Sequence, residues 1–240
     1  VLGDDVIELL GPRVPADHAR QVAAEHWIQR FYAPGGPGSR GARVLDLGCG
    51  PGDSVDVFRR HDPAVEWVGV DLPESPEVAR RTRTDAAFRS FDGRSIPAPD
   101  ASQDLVFCKQ VLEHVRDPEP LLRDAARVLR PGGWFVGSTS QLEPFHSLSL
   151  WNYTPYGLTE LLEDGGLEVG ELRPCIDGLT LVVQRGLGMP RFFFRWWHYE
   201  SPLNRFANLF GRAARLDARQ VNAIKLILCG QFCFRAVKPG

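Results

Sequence analysis

The stretch VLDLGCGPGDS, Val44 to Ser54, decides the reading of this chain. A strand-like run enters a turn with glycine at positions 48, 50 and 52, and DSVDVFRRH then continues as a helix. Glycine loses more conformational freedom on folding than any other residue. Three in five positions therefore mark a backbone that bends sharply or comes close to another group. In a parallel sheet, ligands bind beyond the carboxyl ends of the strands, which is where this turn falls. Asp71 ends the next strand-like run, VEWVGVD, 19 residues past Gly52. A carboxylate there can accept hydrogen bonds from both hydroxyls of a ribose. The ligand is expected to be a dinucleotide or another adenosine compound, and the turn and acid alone do not choose between them.

Working outward, strands and helices alternate. ARVLDLG, VEWVGVDL, AFRSFDG, ASQDLVFCKQ and PGGWFVGSTS read as five strands. DSVDVFRRH, EVARRTR and DPEPLLRDAARVLR read as the helices between them. This order implies right-handed crossovers and a mostly parallel sheet covered on both faces. Thr154 is a helix cap with Pro155 in the first turn, and the helix stops at Gly165–Gly166 before a sixth strand. A last strand is expected within LILCGQFCFRAVK, while residues 222–228 fit helix and strand periods equally. Before the glycine turn, residues 4–10 and Pro15–Tyr32 read as helices, and residues 33–41 as a linker.

Bulk composition narrows the classes. The 240 residues are 43% hydrophobic and 24% charged, which suits one substantial core. A net charge of −2 gives no footprint for a nucleic-acid partner. No apolar run has the length that spans a bilayer and no signal segment opens the chain, so a cytoplasmic location is expected. The five cysteines are scattered and read as buried apolar fillers in a reducing compartment.

The succession VLDLGCGPG, GVDL, FDGRSIPAPDASQDLVFCKQVLEHVRDPEPLL and RVLRPGGWFVGST closely resembles the class I S-adenosylmethionine-dependent methyltransferases, in the group carrying VLEH and LRPGG signatures. The resemblance covers about residues 42–170. It implies an α/β, Rossmann-like fold with a seven-stranded, mostly parallel sheet, the last strand antiparallel, and helices on both faces. It implies S-adenosylmethionine as cofactor and S-adenosylhomocysteine as product. One domain is expected over residues 1–240: a helical cap and linker (1–40), a cofactor-binding core (42–175), an insertion (176–222) and a last strand (223–240). Gly48, Cys49 and Gly50 are expected against the methionine half of the cofactor. Asp46 is expected to orient the loop and the cofactor's ammonium, Asp71 to hold the ribose hydroxyls, and Leu72 to pack on the adenine. The resemblance places Asp92 on the adenine amino group, with Gly93 allowing close backbone approach, and Lys109 and Gln110 near the methionine portion. An Asn/Asp-Pro-Pro-aromatic tetrad, common in nucleobase and amide N-methyltransferases, is replaced here by CKQV.

Methyl transfer is an in-line displacement, so the acceptor must be held close and aligned. A neutral hydroxyl also benefits from a general base, for which histidine is well tuned. Two histidines fall past strand ends: His146 as base or acceptor-positioning group, and His114 in VLEH as a second candidate. Glu143, Trp151, Asn152 and Tyr153 accompany His146, with Trp151 and Tyr153 as substrate residues. Glu113 reads as a structural carboxylate. No histidine–carboxylate spacing demands a metal and none is assigned, while an Mg2+-assisted variant stays open. In the insertion, MPRFFFRWWHYESPLNRF (Met189–Phe206) carries eight aromatic residues among Arg191, Arg195 and Arg205. It suits a cap with its own small core, a pocket wall, or contact with a membrane surface through Phe192–Tyr199. The expected reaction is O-methylation of a small-molecule or glycosyl hydroxyl in a bacterial polysaccharide or secondary-metabolite pathway. The alternatives are N- or C-methylation, an NAD-dependent oxidoreductase, and a non-catalytic cofactor-binding scaffold. The oligomeric state is not legible.

Overall fold

Side chains alternate along a strand, so each strand of a doubly covered sheet feeds two cores. The computed structural model describes residues 3–143 and 146–240 and contains seven strands. These are β1 (Arg43–Leu47), β2 (Glu66–Asp71), β3 (Ala87–Ser90), β4 (Gln103–Lys109), β5 (Leu129–Ser140), β6 (Glu168–Pro174) and β7 (Gln231–Val237). They form one sheet in the order β3-β2-β1-β4-β5-β7-β6. β7 runs antiparallel to both β5 and β6, and the pairs from β3 through to β5 are parallel. The expected fold class is therefore what the chain adopts. The chain steps from β1 to β2 in one direction and later places β4 on the other side of β1. The glycine turn after β1 thus sits where the strand order reverses, the crevice at which such sheets take ligands.

In β4, Val106 and Cys108 enter one core while Leu105 and Phe107 enter the other. Helices α1 (Asp4–Leu10), α4 (Pro118–Val128), α5 (Pro155–Asp164) and α8 (Ala218–Leu228) cover the first face, with Leu10, Leu121, Leu158 and Leu226 buried there. Helices α2 (Glu25–Phe31) and α3 (Ser54–His61) cover the second through Trp27, Phe31, Val55 and Phe58. Thr154 caps α5 as its sequence indicates, its hydroxyl accepting from Gly157 N at 3.0 Å. All five cysteines are buried and free.

Three expectations need correction. The helix over Pro15–Tyr32 shrinks to α2, because side chains from elsewhere take the carbonyls a helix would need. Asn222 Nδ2 donates to Pro15 O and His18 O at 2.9 and 2.8 Å, and Lys225 Nζ to Ala19 O at 2.6 Å. Arg173 grips Asp17 with two hydrogen bonds of 2.8 Å. EVARRTR forms only a short 3-10 turn, Val78–Arg80. Residues 222–228 are helical, within α8, which starts at a reciprocal capping box of Asp217 and Gln220. The last strand consequently begins at Gln231, not at 223.

The insertion holds α6 (Gly178–Gly186), a 3-10 segment (Arg191–Trp197) and α7 (Pro202–Ala213). Phe193 and Trp196 pack with Ile176 and Leu181 in a small core of their own, while Phe192, Phe194 and Tyr199 are exposed. The N-terminal segment ties to this cap through Gln21, which bonds Trp196 O (2.7 Å), Ser201 N (3.0 Å) and Asn204 Nδ2 (2.6 Å). Among the described residues, no helix is long and apolar enough to cross a membrane.

Candidate active site

The glycine turn is left-handed at Gly48, Gly50 and Gly52. Gly48 has φ +69°, and a Cβ there would lie 2.3 Å from Val111 Cγ2. Position 48 therefore requires glycine twice over, by backbone conformation and by space. Cys49 is buried, its Sγ against Gly69 of β2 and 3.5 Å from Arg81 Nη2. Arg81 clamps the turn from outside. Its Nε and Nη2 donate to Gly50 O at 2.9 and 2.8 Å, and its guanidinium lies 4.0 Å over the Phe88 ring. The sequence gives no sign of this clamp, since Arg81 sits in a run of arginines that reads as solvated helix.

Asp46 is buried at the end of β1, and among the described residues its side-chain hydrogen bond is from Ser54 Oγ on α3. Burial raises its pKa to about 7. Ser54 pulls the other way, Asp71 adds to the rise, and Lys109 opposes it. Asp71, at the end of β2, accepts from Gly50 N at 2.7 Å and Leu72 N at 2.8 Å. A carboxylate offers about four lone-pair sites, so two further donors fit on it. Leu72 is exposed, and its Cδ2 lies 3.5 Å from where a Gly93 Cβ would stand, so the β2 and β3 ends face each other. Asp92 accepts from Arg94 N and Ser95 N at 2.8 and 2.7 Å. These bonds lower its pKa and use one carboxylate oxygen, leaving the other open. Lys109, at the end of β4, pairs with Glu25 of α2 at 2.6 Å.

Gln110 has φ +55° and turns away from the glycine loop. With its amide oriented to satisfy its neighbours, it donates to Glu113 Oε1 (3.0 Å) and accepts from Thr139 N (3.2 Å) and Ser138 Oγ (3.1 Å). It thus joins a second cluster past the ends of β4 and β5. Glu113 is fully buried and accepts from Thr139 Oγ1 (3.0 Å) and Ser140 Oγ (3.2 Å). Glu143, also buried, accepts from Ser140 Oγ (3.1 Å), Gln231 Nε2 of β7 and Arg185 Nη2 of α6 (3.2 Å). His146 Nδ1 lies 3.4 Å from Glu113 Oε1 and 3.8 Å from Glu143 Oε2. Burial opposes a charge on His146, but the hydrogen bond to Glu113 and the charges of Glu143 and Glu113 outweigh it, so its pKa is raised. The His114 and His146 rings meet edge to face at 5.2 Å. Ligand atoms of Glu113, His114 and His146 all lie within 4.8 Å of one another.

The residues singled out after β5 divide. Tyr153 is buried, and its hydroxyl donates to Leu112 O at 3.1 Å. Trp151 Nε1 donates to Val115 O at 2.9 Å, while nearly half the residue stays exposed. Leu150 N and Trp151 N donate to Glu113 O at 2.7 and 3.1 Å. Both aromatic residues therefore brace the VLEH turn that carries Glu113 and His114. For Tyr153 that contact is with the core side of the turn.

A strand-to-helix glycine turn at the switch point and an acid ending β2 mark α/β proteins that take an adenosine-containing ligand. A profile of the methyltransferase domain family matches residues 16–214, and the chain belongs to that family, whose cofactor is S-adenosylmethionine. A protein of Mycolicibacterium smegmatis named as a probable S-adenosylmethionine-dependent methyltransferase is 36% identical over 155 residues, covering 59% of this chain and 58% of that protein. A ubiquinone biosynthesis O-methyltransferase of Bordetella avium is 34% identical over 133 residues, 53% of each chain. The chain thus spans a little over half the length of the curated relatives it matches. Among solved structures, that of a putative sarcosine dimethylglycine methyltransferase from Galdieria sulphuraria superposes with a TM-score of 0.58 at 15% identity. It covers 99% of this chain and 98% of that one, and shows the shared fold.

Proposed function

We propose that the chain transfers the methyl group of S-adenosylmethionine to a hydroxyl oxygen of a small molecule. The observation that carries this reading is the pairing of two clusters past the same strand ends. A glycine-and-carboxylate cradle follows β1, β2 and β3, and a histidine–carboxylate cluster follows β4 and β5. Bound S-adenosylmethionine supplies an electrophilic methyl on a sulfonium. In the reaction the acceptor O–H bond breaks, an O–CH3 bond forms and the C–S bond breaks, giving a thioether and one released proton.

Each residue of the cradle has a chemical task in this reading. Asp46, buried without a hydrogen-bonded cation, suits the cofactor's ammonium. Asp71 takes the ribose hydroxyls on its open lone pairs. Leu72 and Gly93 bound the adenine slot, with the free oxygen of Asp92 for the amino group. Gly48 and Gly50 keep the methionine side open, and Lys109 stands at its edge. His146 positions the acceptor oxygen beside His114. Trp151, through its exposed ring, contacts the acceptor, while Tyr153 acts on the acceptor only through the VLEH turn. The oxygen acceptor is favoured by the CKQV segment, which lacks the amine-binding tetrad, and by the relatives named for O-methylation. A glycosyl hydroxyl fits the polar cluster at His146 as well as a phenolic one does.

Asp46 gives the reading a pH signature. Its pKa of about 7 is above that of a free carboxylate. Its contribution to folding is therefore full below about pH 4 and is lost as pH rises through 7. The cationic ammonium prefers the ionised form, so binding releases a proton. Affinity for S-adenosylhomocysteine is expected to rise about tenfold per pH unit up to 7 and then level off. Titration calorimetry from pH 5.5 to 8.5 checks this, and Asp46→Asn should flatten the profile. An unaltered slope in that variant would remove Asp46 from the ammonium site.

The reaction is tested by incubating the protein with methyl-labelled cofactor and panels of phenols, sugars and amines, then locating the label by mass spectrometry. Label on oxygen is expected. With the acceptor in hand, His146→Ala should lower kcat by about 10²–10³-fold while leaving cofactor affinity within twofold. Label on nitrogen or carbon would overturn the hydroxyl assignment, and an unchanged kcat would overturn the role of His146.

A further inference from the structure

We propose that Glu113, His114 and His146 form a binding site for one divalent transition-metal cation, with Mn2+, Fe2+ or Zn2+ as the fitting class. This deepens the methyl-transfer reading and rests on it for the cation's use, though not for its binding. Sequence spacing hides the site, because His146 lies 32 positions past His114. The loop after β5 folds back on the VLEH turn through the bonds of Leu150, Trp151 and Tyr153, and this brings the three ligands together. Donors about 2.1 Å from one metal stand roughly 3–4.2 Å apart. The ligand atoms lie within 4.8 Å of one another, so holding one ion requires them to draw closer, and both rings are only partly buried. Among the described residues, no other histidine, cysteine, aspartate and glutamate group of three or more is so arranged.

Charge supplies the independent argument. Glu113 and Glu143 are both almost fully buried, and Ser140 Oγ, with one proton to donate, lies within hydrogen-bond distance of both. Among the described residues, Arg185 is the lysine or arginine that ion-pairs with either, on Glu143. Glu113 has hydroxyl and amide donors, and among the described residues its ion-pair partner is His146. Buried charges are normally paired or coordinate a metal, and a carboxylate at the wall of an acceptor pocket leaves room for a second positive charge. Two imidazoles and one carboxylate favour a borderline transition ion over Mg2+ or Ca2+, which prefer all-oxygen sets. Three protein ligands on one side leave positions open for the acceptor oxygen. Coordination there acidifies the hydroxyl, whose proton leaves to water, and fixes the oxygen in line with the methyl. His114 and His146 then act as ligands rather than as bases. Glu143 and Gln110 orient them from behind, as outer partners do in metal sites.

The probe is Mn2+, which avoids the five thiols. Metal-stripped protein is titrated with Mn2+ alone and free Mn2+ is read by electron paramagnetic resonance. The affinity for S-adenosylhomocysteine is measured on the same samples. One Mn2+ per chain is expected to bind with micromolar affinity. His114→Ala and His146→Ala should each weaken it at least tenfold, with S-adenosylhomocysteine affinity within twofold of the parent. No Mn2+ binding, or binding that both substitutions leave unchanged, overturns the site while leaving cofactor binding and methyl transfer intact. Failure to bind S-adenosylhomocysteine would instead sink the methyl-transfer reading, and the Mn2+ result would still decide the metal site.

Discussion

Gly48→Ala is expected to destabilise the protein by about 2–3 kcal/mol and to remove measurable cofactor binding. At φ +69° an alanine meets the left-handed strain of roughly 1–2 kcal/mol that glycine avoids. The new Cβ would also stand 2.3 Å from Val111 Cγ2. Val111 is β-branched and cannot swing aside cheaply, because it opens the VLEH turn braced by Trp151 and Tyr153. The strain therefore spreads from the cofactor cradle into the histidine–carboxylate cluster. Thermal unfolding reads the stability loss, and calorimetry with S-adenosylhomocysteine reads the binding loss. Full binding with an unshifted melting temperature would mean that the turn is not the rigid cradle described above.

Asp71→Ala should weaken S-adenosylhomocysteine about 10²–10⁴-fold while moving stability much less. Hydrogen bonds to an ionised group contribute about 1.5–3 kcal/mol each, and the proposed site sets two ribose hydroxyls on this carboxylate. The side chain also fixes Gly50 N at 2.7 Å, so its loss slackens the turn itself. Asp71→Asn keeps one acceptor oxygen and should fall between the parent and the alanine variant. Equal affinities for parent and Asp71→Ala would move the ribose elsewhere, and with it the adenine slot between Leu72 and Gly93.

Much of this was legible in the sequence, for identifiable physical reasons. Strands β1, β2, β4 and β5 were read within a residue or two because apolar periodicity and glycine or proline punctuation agree there, whereas the last strand starts well after its expected position. The α5 cap at Thr154 was legible because capping is local. The Pro15–Tyr32 helix failed because its competitors lie far along the chain. Arg173, Asn222 and Lys225 satisfy that backbone better than a helix would. The α8 capping box was present as Asp217-Ala-Arg-Gln220 and would have settled residues 222–228.

For the site, motif spacing put the glycines, Asp46, Asp71 and Asp92 at the ends of β1, β2 and β3, where the structure has them, whereas Gln110, expected near the methionine portion, bonds into the histidine–carboxylate cluster. The acceptor side was legible only in part. His146 and His114 could be named, but their meeting with Glu113 depends on a loop folding back. Glu143 drew notice only as a neighbour of His146, and nothing in its surroundings announces that it joins β5, β7 and α6 through Ser140, Gln231 and Arg185. Tyr153, read as a substrate residue, is buried, and its hydroxyl donates to Leu112 O in the turn beneath the site.

The central claim is that the glycine turn and Asp71 hold S-adenosylmethionine. A calorimetric titration of the purified protein with S-adenosylhomocysteine, with NAD+ as the control ligand, tests it most directly. The account predicts one site of micromolar affinity for S-adenosylhomocysteine and none for NAD+. Binding of NAD+ in its place, or of neither, would contradict it.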